Sequence, residues 1–189
     1  MSEISNSLVE KAISVGPLGD EREIATITRP ATGAVEKAAL VWLGGYRSDM
    51  SGTKAVEMDL LAAEHGLQAI RFDYSGHGVS GGQFRLGTMS RWTEEALAVL
   101  SAPGARRVIL VGSSMGGWIA LRVIQEARRL GLAFDICGLV LIAPAPDFTV
   151  DLIEPRLSEA EEQSLAERGY CQEPSEYSPE PSIFTRALI

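Results

Sequence analysis

The motif Gly112-Ser113-Ser114-Met115-Gly116 constrains the fold of this chain more than any other feature of its sequence. It follows an apolar run at 108–112 and precedes an amphipathic stretch at 114–130, which predicts a sharp turn from a buried strand into a helix. Glycine suits both ends of such a turn, because a Cβ at either position would clash. The turn would expose the Ser114 hydroxyl at a helix N-terminus, where the dipole favours developing negative charge. Ser114 is therefore the candidate nucleophile.

A nucleophile of this kind needs two backbone amides that stabilise an oxyanion. The amide of Met115, next to the serine, is one candidate. The second is the amide of Tyr46, in the turn Gly44-Gly45-Tyr46 that follows the apolar run at 38–43. An ordinary turn at the end of a strand would have the same sequence, so the assignment of Tyr46 depends on its proximity to Ser114.

Composition excludes several classes of partner. The chain has 189 residues and a net charge of −8, without a basic cluster, which argues against nucleic acid binding. No apolar run approaches the length of a membrane span, and Met1–Ser5 lacks the features of a secretory signal. The two cysteines, Cys137 and Cys171, have neither disulfide-framework nor metal-ligand spacing. We expect two reduced thiols in a cytoplasmic protein.

Apolar runs alternate with helical patterns through most of the chain. This alternation predicts a mostly parallel α/β sheet with helices on both faces, and one antiparallel strand with a wet face at 22–29. The first helix should bury Val56, Leu60 and Ala63, and the second should bury Trp92, Ala96 and Val99 until Pro103-Gly104 ends it. The predicted strands are 22–29, 38–43, 67–72, 108–112 and 137–143, and the predicted helices are 52–65, 88–101 and 114–130.

The chain changes character after residue 147. Acidic residues and prolines dominate 148–181, and the pattern predicts one helix at 158–168 with Ser158 as its N-cap. The predicted organisation is therefore a partial core at 1–147, a cap or lid at 148–181, and the start of the next core helix at 182–189. The cap is otherwise expected to be irregular.

The chain offers few partners for Ser114 in catalysis. His77, in the glycine-rich loop 73–82, is the one histidine near the expected active edge, and Asp147 follows the last predicted strand. These residues are candidates for a general base and its orienting acid, and the alternatives are a histidine that packs the loop and a loop carboxylate. His65 is expected at the C-terminal end of a helix, and Asp135 at the opposite edge of the sheet.

Three blocks of the sequence, 44–55, 71–80 and 110–118, resemble the abhydrolase-domain family of α/β-hydrolases that includes palmitoyl-protein thioesterase and acyl-glucuronide esterase. The resemblance implies a serine hydrolase of acyl esters or thioesters that uses no metal or nucleotide. It places the nucleophile at Ser114 and the oxyanion amides at Met115 and Tyr46. It also implies that the histidine of the glycine loop, His77, is not catalytic.

The chain departs from the family after the cap. Family members have two further strands, followed by the catalytic acid and the catalytic histidine, whereas no histidine follows Ser114 here. We therefore expect a C-terminally shortened fold in which the strand 138–143 is an open edge that pairs with another copy or with a missing segment. The chain is then a fragment of an active enzyme, an inactive gene product, or an enzyme with a rewired His77–Asp147 dyad. A catalytically incomplete acyl-binding or interaction protein is the alternative from another functional class.

Overall fold

The computed structural model of the protein describes residues 8–32, 37–102, 106–174 and 181–189. Three features of the sequence analysis lie outside these residues. They are the N-terminal Met1–Ser5, the helix stop at Pro103-Gly104, and the part of the predicted cap at 175–180.

One sheet organises the described part of the chain. Its strands are β1 (Val9–Val15), β2 (Arg22–Arg29), β3 (Ala39–Leu43), β4 (Ala69–Phe72), β5 (Arg107–Ser113) and β6 (Asp135–Ile142). Their order is β1-β2-β4-β3-β5-β6, with parallel pairing from β4 to β6 and antiparallel pairing of β2 with both β1 and β4. The predicted α/β sheet is confirmed. β1 was not predicted, because it is a largely exposed edge strand.

Helices cover both faces of this sheet. They are α1 (Thr53–His65), α2 (Met89–Ser101) and α3 (Met115–Leu130). α1 packs on one face through Ala55 and Met58, which belong to the same buried cluster as Trp42 of β3. α2 and α3 cover the other face in a larger core that contains Trp92 and Ile119. The loops after β3, β4 and β5 follow the carboxyl ends of neighbouring strands, which is the edge where such sheets bind ligands.

The predicted inward face of α1 was wrong, whereas that of α2 is confirmed. Leu60 of α1 is 51% exposed, and the buried face consists of Ala55, Met58, Asp59 and Ala62. Burial of Asp59 is compatible with the core because Arg29 of β2 donates two hydrogen bonds to its carboxylate. An acidic residue therefore occupies a position that hydrophobicity alone assigns to solvent.

The segment after β6 is more regular than expected. A single π-helical turn at Thr149–Ile153 leads through a short 3-10 turn, Glu154–Arg156, into α4 (Glu159–Arg168). α4 begins with a capping box, in which Ser158 and Glu161 each accept a hydrogen bond from the other's backbone amide. Two further strands, β7 (Tyr170–Glu173) and β8 (Ser182–Thr185), then pair antiparallel.

The prediction of a core helix beginning at 182 was wrong. Residues 182–185 form β8, because their backbone pairs with β7 and is held by hydrogen bonds from the loop after β3.

Cys171 is buried in β7 and Cys137 is exposed in β6, and both are free thiols. No helix in the described ranges is both long and apolar enough to cross a bilayer.

Strand β6 forms one edge of the main sheet, as predicted. Within the described residues it pairs with β5 alone. Leu139, Val140 and Leu141 in the middle of the strand are between 37% and 46% exposed. An exposed apolar edge of this kind offers both backbone groups and side chains to another strand.

A buried ion pair connects the antiparallel edge of the sheet to the loop after β4. The Arg22 guanidinium donates to the Glu95 carboxylate at 2.7 Å, and both side chains are at most 4% exposed. The second oxygen of Glu95 accepts the backbone amide of Ser75 at 2.9 Å. Arg22 also donates to Glu94, whose side chain is half exposed. Glu95 thus fixes both the side chain of Arg22 and the backbone of the loop.

We expect Glu95→Gln to lower the free energy of unfolding by about 3 kcal/mol, because it leaves a buried guanidinium without its main counter-charge. Glu94→Gln is the matched control. It removes a partner of the same arginine at an exposed position and is expected to cost less than about 1 kcal/mol. Urea denaturation of the two variants measures the difference, and equal losses would contradict the assigned role of Glu95.

Candidate active site

Ser114 occupies a strained turn between β5 and α3. Its φ of 54° and ψ of −122° lie in a region that side chains other than glycine rarely adopt. The residue is exposed although Ser113 and Met115 on either side of it are buried. The Ser114 amide donates to the Ile142 carbonyl at 3.0 Å, and the Ser114 carbonyl accepts the amides of Gly117 and Ala145. Neighbouring backbone therefore holds the turn in place. The predicted sharp turn from strand to helix, which we call the elbow, is confirmed.

Two glycines permit this turn through close contact between backbones. A Cβ at Gly116 would overlap the carbonyl oxygen of Leu43, the last residue of β3. A Cβ at Gly112 would lie 2.5 Å from the carbonyl oxygen of Gly116. The start of α3 thus lies directly against the end of β3, which brings the loop after β3 to the serine.

The loop after β3 lies beside the candidate nucleophile. A Cβ placed on Gly45 would be 3.4 Å from the Cβ of Ser114 and 3.4 Å from the carbonyl oxygen of Ser113. The next residue is Tyr46. Among the backbone hydrogen bonds of the described residues, neither the Tyr46 amide nor the Met115 amide donates one. The choice of these two amides as oxyanion donors stays a prediction.

A buried carboxylate, which sequence analysis missed, organises the loops around the site. Asp73 accepts the Met50 amide at 2.6 Å on one oxygen and the Val79 amide at 2.9 Å on the other. Burial raises the pKa of this carboxyl, and the two amides partly offset that effect. Gly78 packs against the same carboxylate, where no side chain would fit. The pattern Asp73-x-x-Gly76-His77-Gly78 is a usable signal, because the close approach of Gly78 to the Asp73 carboxylate requires glycine.

The structure separates His77 from the serine. Its Nδ1 lies 3.2 Å from the Ser75 carbonyl oxygen, so Nδ1 carries the proton in the neutral ring. The imidazole packs among the rings of Tyr74, Phe84 and Trp92 and is 4% exposed. Burial lowers the pKa of His77 to about 4. No hydrogen bond among the described residues links His77 to Ser114, and the geometry favours the packing role.

The other candidates also remain apart from the serine. Asp147 is exposed with a φ of 52°, and its carbonyl accepts the amides of Val150 and Asp151 at the start of the cap. Within the described ranges its carboxylate makes no hydrogen bond to His77 or Ser114, so the rewired dyad is not assembled. Asp135 lies at the amino end of β6, opposite the site, and His65 is the exposed last residue of α1.

Aromatic side chains surround the loop that carries Tyr46. The Tyr46 ring stacks on Phe184 of β8 with centroids 5.5 Å apart and makes edge contacts with Phe84 and Phe148. Phe148 also contacts Trp118, one turn after Ser114 in α3. The Tyr46 hydroxyl donates to the Ile183 carbonyl, and Arg47 donates to the Pro181 carbonyl. We call these two side-chain hydrogen bonds the loop clamp.

This fold and this elbow define an α/β hydrolase. The model of the Alpha/beta hydrolase family matches residues 39–185, and the chain belongs to that family. The match includes β3 with its loop, the elbow and most of the segment after β6.

Individual relatives show which members of this family the chain is similar to. The crystal structure of a "Putative hydrolase from Agrobacterium vitis S4" is 61% identical with a TM-score of 0.93, and the match covers 96% of this chain and 70% of that one. Mouse alpha/beta hydrolase domain-containing protein 10 is 27% identical with a TM-score of 0.71, over 90% of this chain and 62% of that chain. Human mitochondrial palmitoyl-protein thioesterase ABHD10 is 31% identical over 141 residues, which are 75% of this chain.

The chain spans less than half the length of that curated human relative, since the match covers 44% of it. The mitochondrial location in the relative's name belongs to that protein. For this chain the cytoplasmic location remains a prediction.

The buried histidine predicts how stability depends on pH. The pKa of His77 is about 4 in the folded protein and about 6.5 in the unfolded chain. Between these values only the unfolded state takes up the proton, so acidification from pH 6.5 to pH 4 should lower the free energy of unfolding by about 3 kcal/mol. Urea denaturation at several pH values tests this expectation.

The matched controls are His77→Gln and His65→Gln. The first variant should lose this part of the pH dependence, and the second, at an exposed site, should keep it. Comparison between variants also removes the contributions of buried carboxyls such as Asp73. If His77→Gln falls as steeply with acidification as the parent chain, the assigned environment of His77 is wrong.

Proposed function

We propose that this chain carries the nucleophile and oxyanion hole of a serine hydrolase that cleaves acyl esters or thioesters. The observation that carries the proposal is the exposed Ser114 hydroxyl in a strained turn at the N-terminus of α3, next to the glycine loop after β3. Strain at a single exposed serine is typical of a functional site, because the surrounding structure must maintain it.

The chemistry is acyl transfer. The Ser114 oxygen bonds to the carbonyl carbon, and the amides of Met115 and Tyr46 donate to the oxyanion that forms. Collapse of this intermediate breaks the C–O or C–S bond, and the alcohol or thiol leaves with a proton. Water then attacks the acyl-serine and releases the acid. The serine proton passes to a general base, which returns it to the leaving alcohol or thiol. His77 is not that base, because its Nε2 is enclosed among aromatic rings.

The proposed acyl group is apolar. Aromatic surface lies around the loop beside Ser114, where Tyr46 packs with Phe84, Phe148 and Phe184, and Phe148 contacts Trp118 of α3. Such surface favours hydrocarbon over polar groups. The name of the human relative, palmitoyl-protein thioesterase, is consistent with an acyl chain of this kind. We therefore propose an acyl-thioester or acyl-ester substrate carried by a small molecule or a protein.

A non-catalytic acyl-binding or interaction protein on the hydrolase scaffold is the second candidate. The specific observation in its favour is that neither histidine of the chain contacts Ser114 within the described residues. Such a protein would keep the aromatic side chains around Tyr46 and the turn at Ser114, but it would not form an acyl-enzyme at a useful rate.

A fluorophosphonate probe distinguishes the two candidates. We expect the probe to label the chain, because the oxyanion amides and the helix dipole activate the Ser114 oxygen. Labelling should disappear in Ser114→Ala and persist in Ser113→Ala, in which the neighbouring serine is removed. Mass spectrometry of the labelled peptide locates the adduct.

Failure of the intact chain to react would favour the acyl-binding candidate. His77→Gln is a further control, and it should label at the same rate as the parent chain. Labelling that depends on His77 would overturn the packing role assigned to that histidine.

A series of nitrophenyl esters and matched acyl thioesters tests the acyl pocket. The quantity to measure is the acylation rate constant divided by the dissociation constant of the ester. We expect this ratio to rise roughly fourfold with each of the first few methylenes added to the acyl chain, since each buried methylene contributes about 0.8 kcal/mol. Phe148→Ala should flatten this rise, whereas Leu18→Ala, at a residue 97% exposed, should leave it unchanged. The burst of nitrophenol measures acylation alone, and no dependence on chain length would contradict an apolar acyl pocket.

A further inference from the structure

Two buried charges lie at the carboxyl end of β4, on the face of the sheet that α1 covers. Arg71 is in β4 and Asp73 comes directly after it, and residues two apart along a strand share a face. The Arg71 guanidinium lies 3.8 Å from the Asp59 carboxylate of α1, which identifies that face. Arg71 is 5% exposed and Asp73 is 3% exposed. Charges withdrawn from water in this way are costly unless each has a partner.

Both charges bind the backbone of Met50, in the loop after β3 (residues 44–52). The Asp73 carboxylate accepts the Met50 amide at 2.6 Å, and the Arg71 guanidinium donates to the Met50 carbonyl at 2.7 Å. The amide and the carbonyl of one residue belong to two consecutive planar peptide groups, so these contacts fix the orientation of both. Hydrogen bonds to ionised groups are about twice as strong as neutral ones. Met50 is therefore firmly held from outside its own loop.

Asp73 holds the loop after β4 as well. Its second carboxylate oxygen accepts the Val79 amide at 2.9 Å, and its backbone carbonyl accepts the Ser80 hydroxyl at 2.6 Å. One carboxylate thus joins two loops at the edge of the sheet that carries Ser114. An asparagine in its place has a single acceptor oxygen, and its nitrogen would face a backbone N–H. It could satisfy one of the two loops but not both.

The loop after β3 transmits the position of Met50 to Tyr46. It contains two tight turns, 45–48 and 49–52, each closed by a hydrogen bond from its last amide to its first carbonyl. The first turn contains Tyr46 and begins at Gly45, where a Cβ would be 3.4 Å from the Cβ of Ser114. The second turn contains Met50 and directly adjoins the first. The loop clamp holds the first turn from the side of β8, and Met50 anchors the second from the side of β4.

We propose that Arg71 and Asp73 are positioning residues for the oxyanion hole, because by holding Met50 they set the position of the Tyr46 amide relative to Ser114. This inference rests on the proposed function, since it assigns both residues to the acylation step. The Tyr46 amide stabilises charge that develops only in the transition state. Its displacement therefore slows acylation and leaves binding of the ground state unchanged.

Inactivation by a fluorophosphonate tests Asp73, because it separates the inactivation rate constant from the dissociation constant of the probe. We expect Asp73→Asn to lower the rate constant at least about tenfold, with an unchanged dissociation constant, because a misplaced donor has a large effect on rate. Asp49→Asn is the matched control. Its carboxylate accepts the Ser51 amide in the same loop at an exposed position, and the variant should react at the parental rate.

Two results with folded Asp73→Asn would overturn the proposal. One is the parental rate constant, and the other is a change in the dissociation constant alone. If this variant does not fold, Arg71→Met provides the same test from the other side of Met50.

A pair of arginine variants separates positioning from general stability. Arg29 and Arg71 both lie against the buried Asp59 carboxylate, and Arg29 is the closer, with hydrogen bonds of 3.1 and 2.5 Å. We expect Arg29→Met to lose stability in urea denaturation but to keep the parental inactivation rate constant when folded. Arg71→Met should react at least about tenfold more slowly when folded, because it releases the Met50 carbonyl. Equal rate constants for the two folded variants would overturn the positioning role of Arg71.

NMR of the ¹⁵N-labelled chain distinguishes failure of this inference from failure of the proposed function. The Tyr46 amide signal should move further in Asp73→Asn, a change in a different loop, than in Asp49→Asn, a change in the adjoining turn. A Tyr46 signal that stays in place in both Asp73→Asn and Arg71→Met would overturn the inference, whether or not the chain reacts with the probe. A displaced Tyr46 signal in a chain whose parent does not react would contradict the hydrolase proposal alone.

Discussion

The structure depends on one close contact between two pieces of backbone. The start of α3 lies against the end of β3 because Gly116 has no side chain to hold them apart. This contact places the serine turn next to the loop after β3, although the two are about 70 residues apart in sequence. Within the part of the chain that the structure describes, the amides of Tyr46 and Met115 donate no backbone hydrogen bond. A larger residue in place of Gly116 would separate Ser114 from Tyr46, one of its two proposed oxyanion donors.

Sequence reasoning succeeded where a strand or helix has a strong local pattern. Continuous apolar runs identified the parallel strands, and the spacing of Trp92, Ala96 and Val99 identified the buried face of α2. Sequence reasoning failed where strands pair between distant parts of the chain, and where a buried charge is neutralised by a residue far away in the sequence. The strand β8 exists because β7 and the loop after β3 hold its backbone, and nothing in its four residues encodes that. Asp59 of α1 is buried because Arg29 neutralises it from β2.

In the candidate site, too, sequence reasoning succeeded for local patterns and failed for long-range contacts. Ser114 and its glycines were predicted from the motif, since steric limits on the turn appear directly in the sequence. The packing role of His77 depends on three aromatic rings from separate elements, and the sequence left it as one of two alternatives. Asp73 was overlooked, because a carboxylate that binds backbone amides leaves no side-chain partner to recognise.

The loop clamp has a consequence for how this family member can diversify. Both acceptors, in Pro181 and Ile183, are main-chain carbonyl oxygens, which every amino acid provides. The clamp therefore recognises the path of the backbone and is indifferent to most of the side chains along it. Substitutions at Pro181 and Ile183 can change the surface next to the aromatic rings around Tyr46, while the loop beside Ser114 stays in place. Insertions or deletions are different, because a change in length moves the carbonyls themselves and releases Tyr46 and Arg47 together.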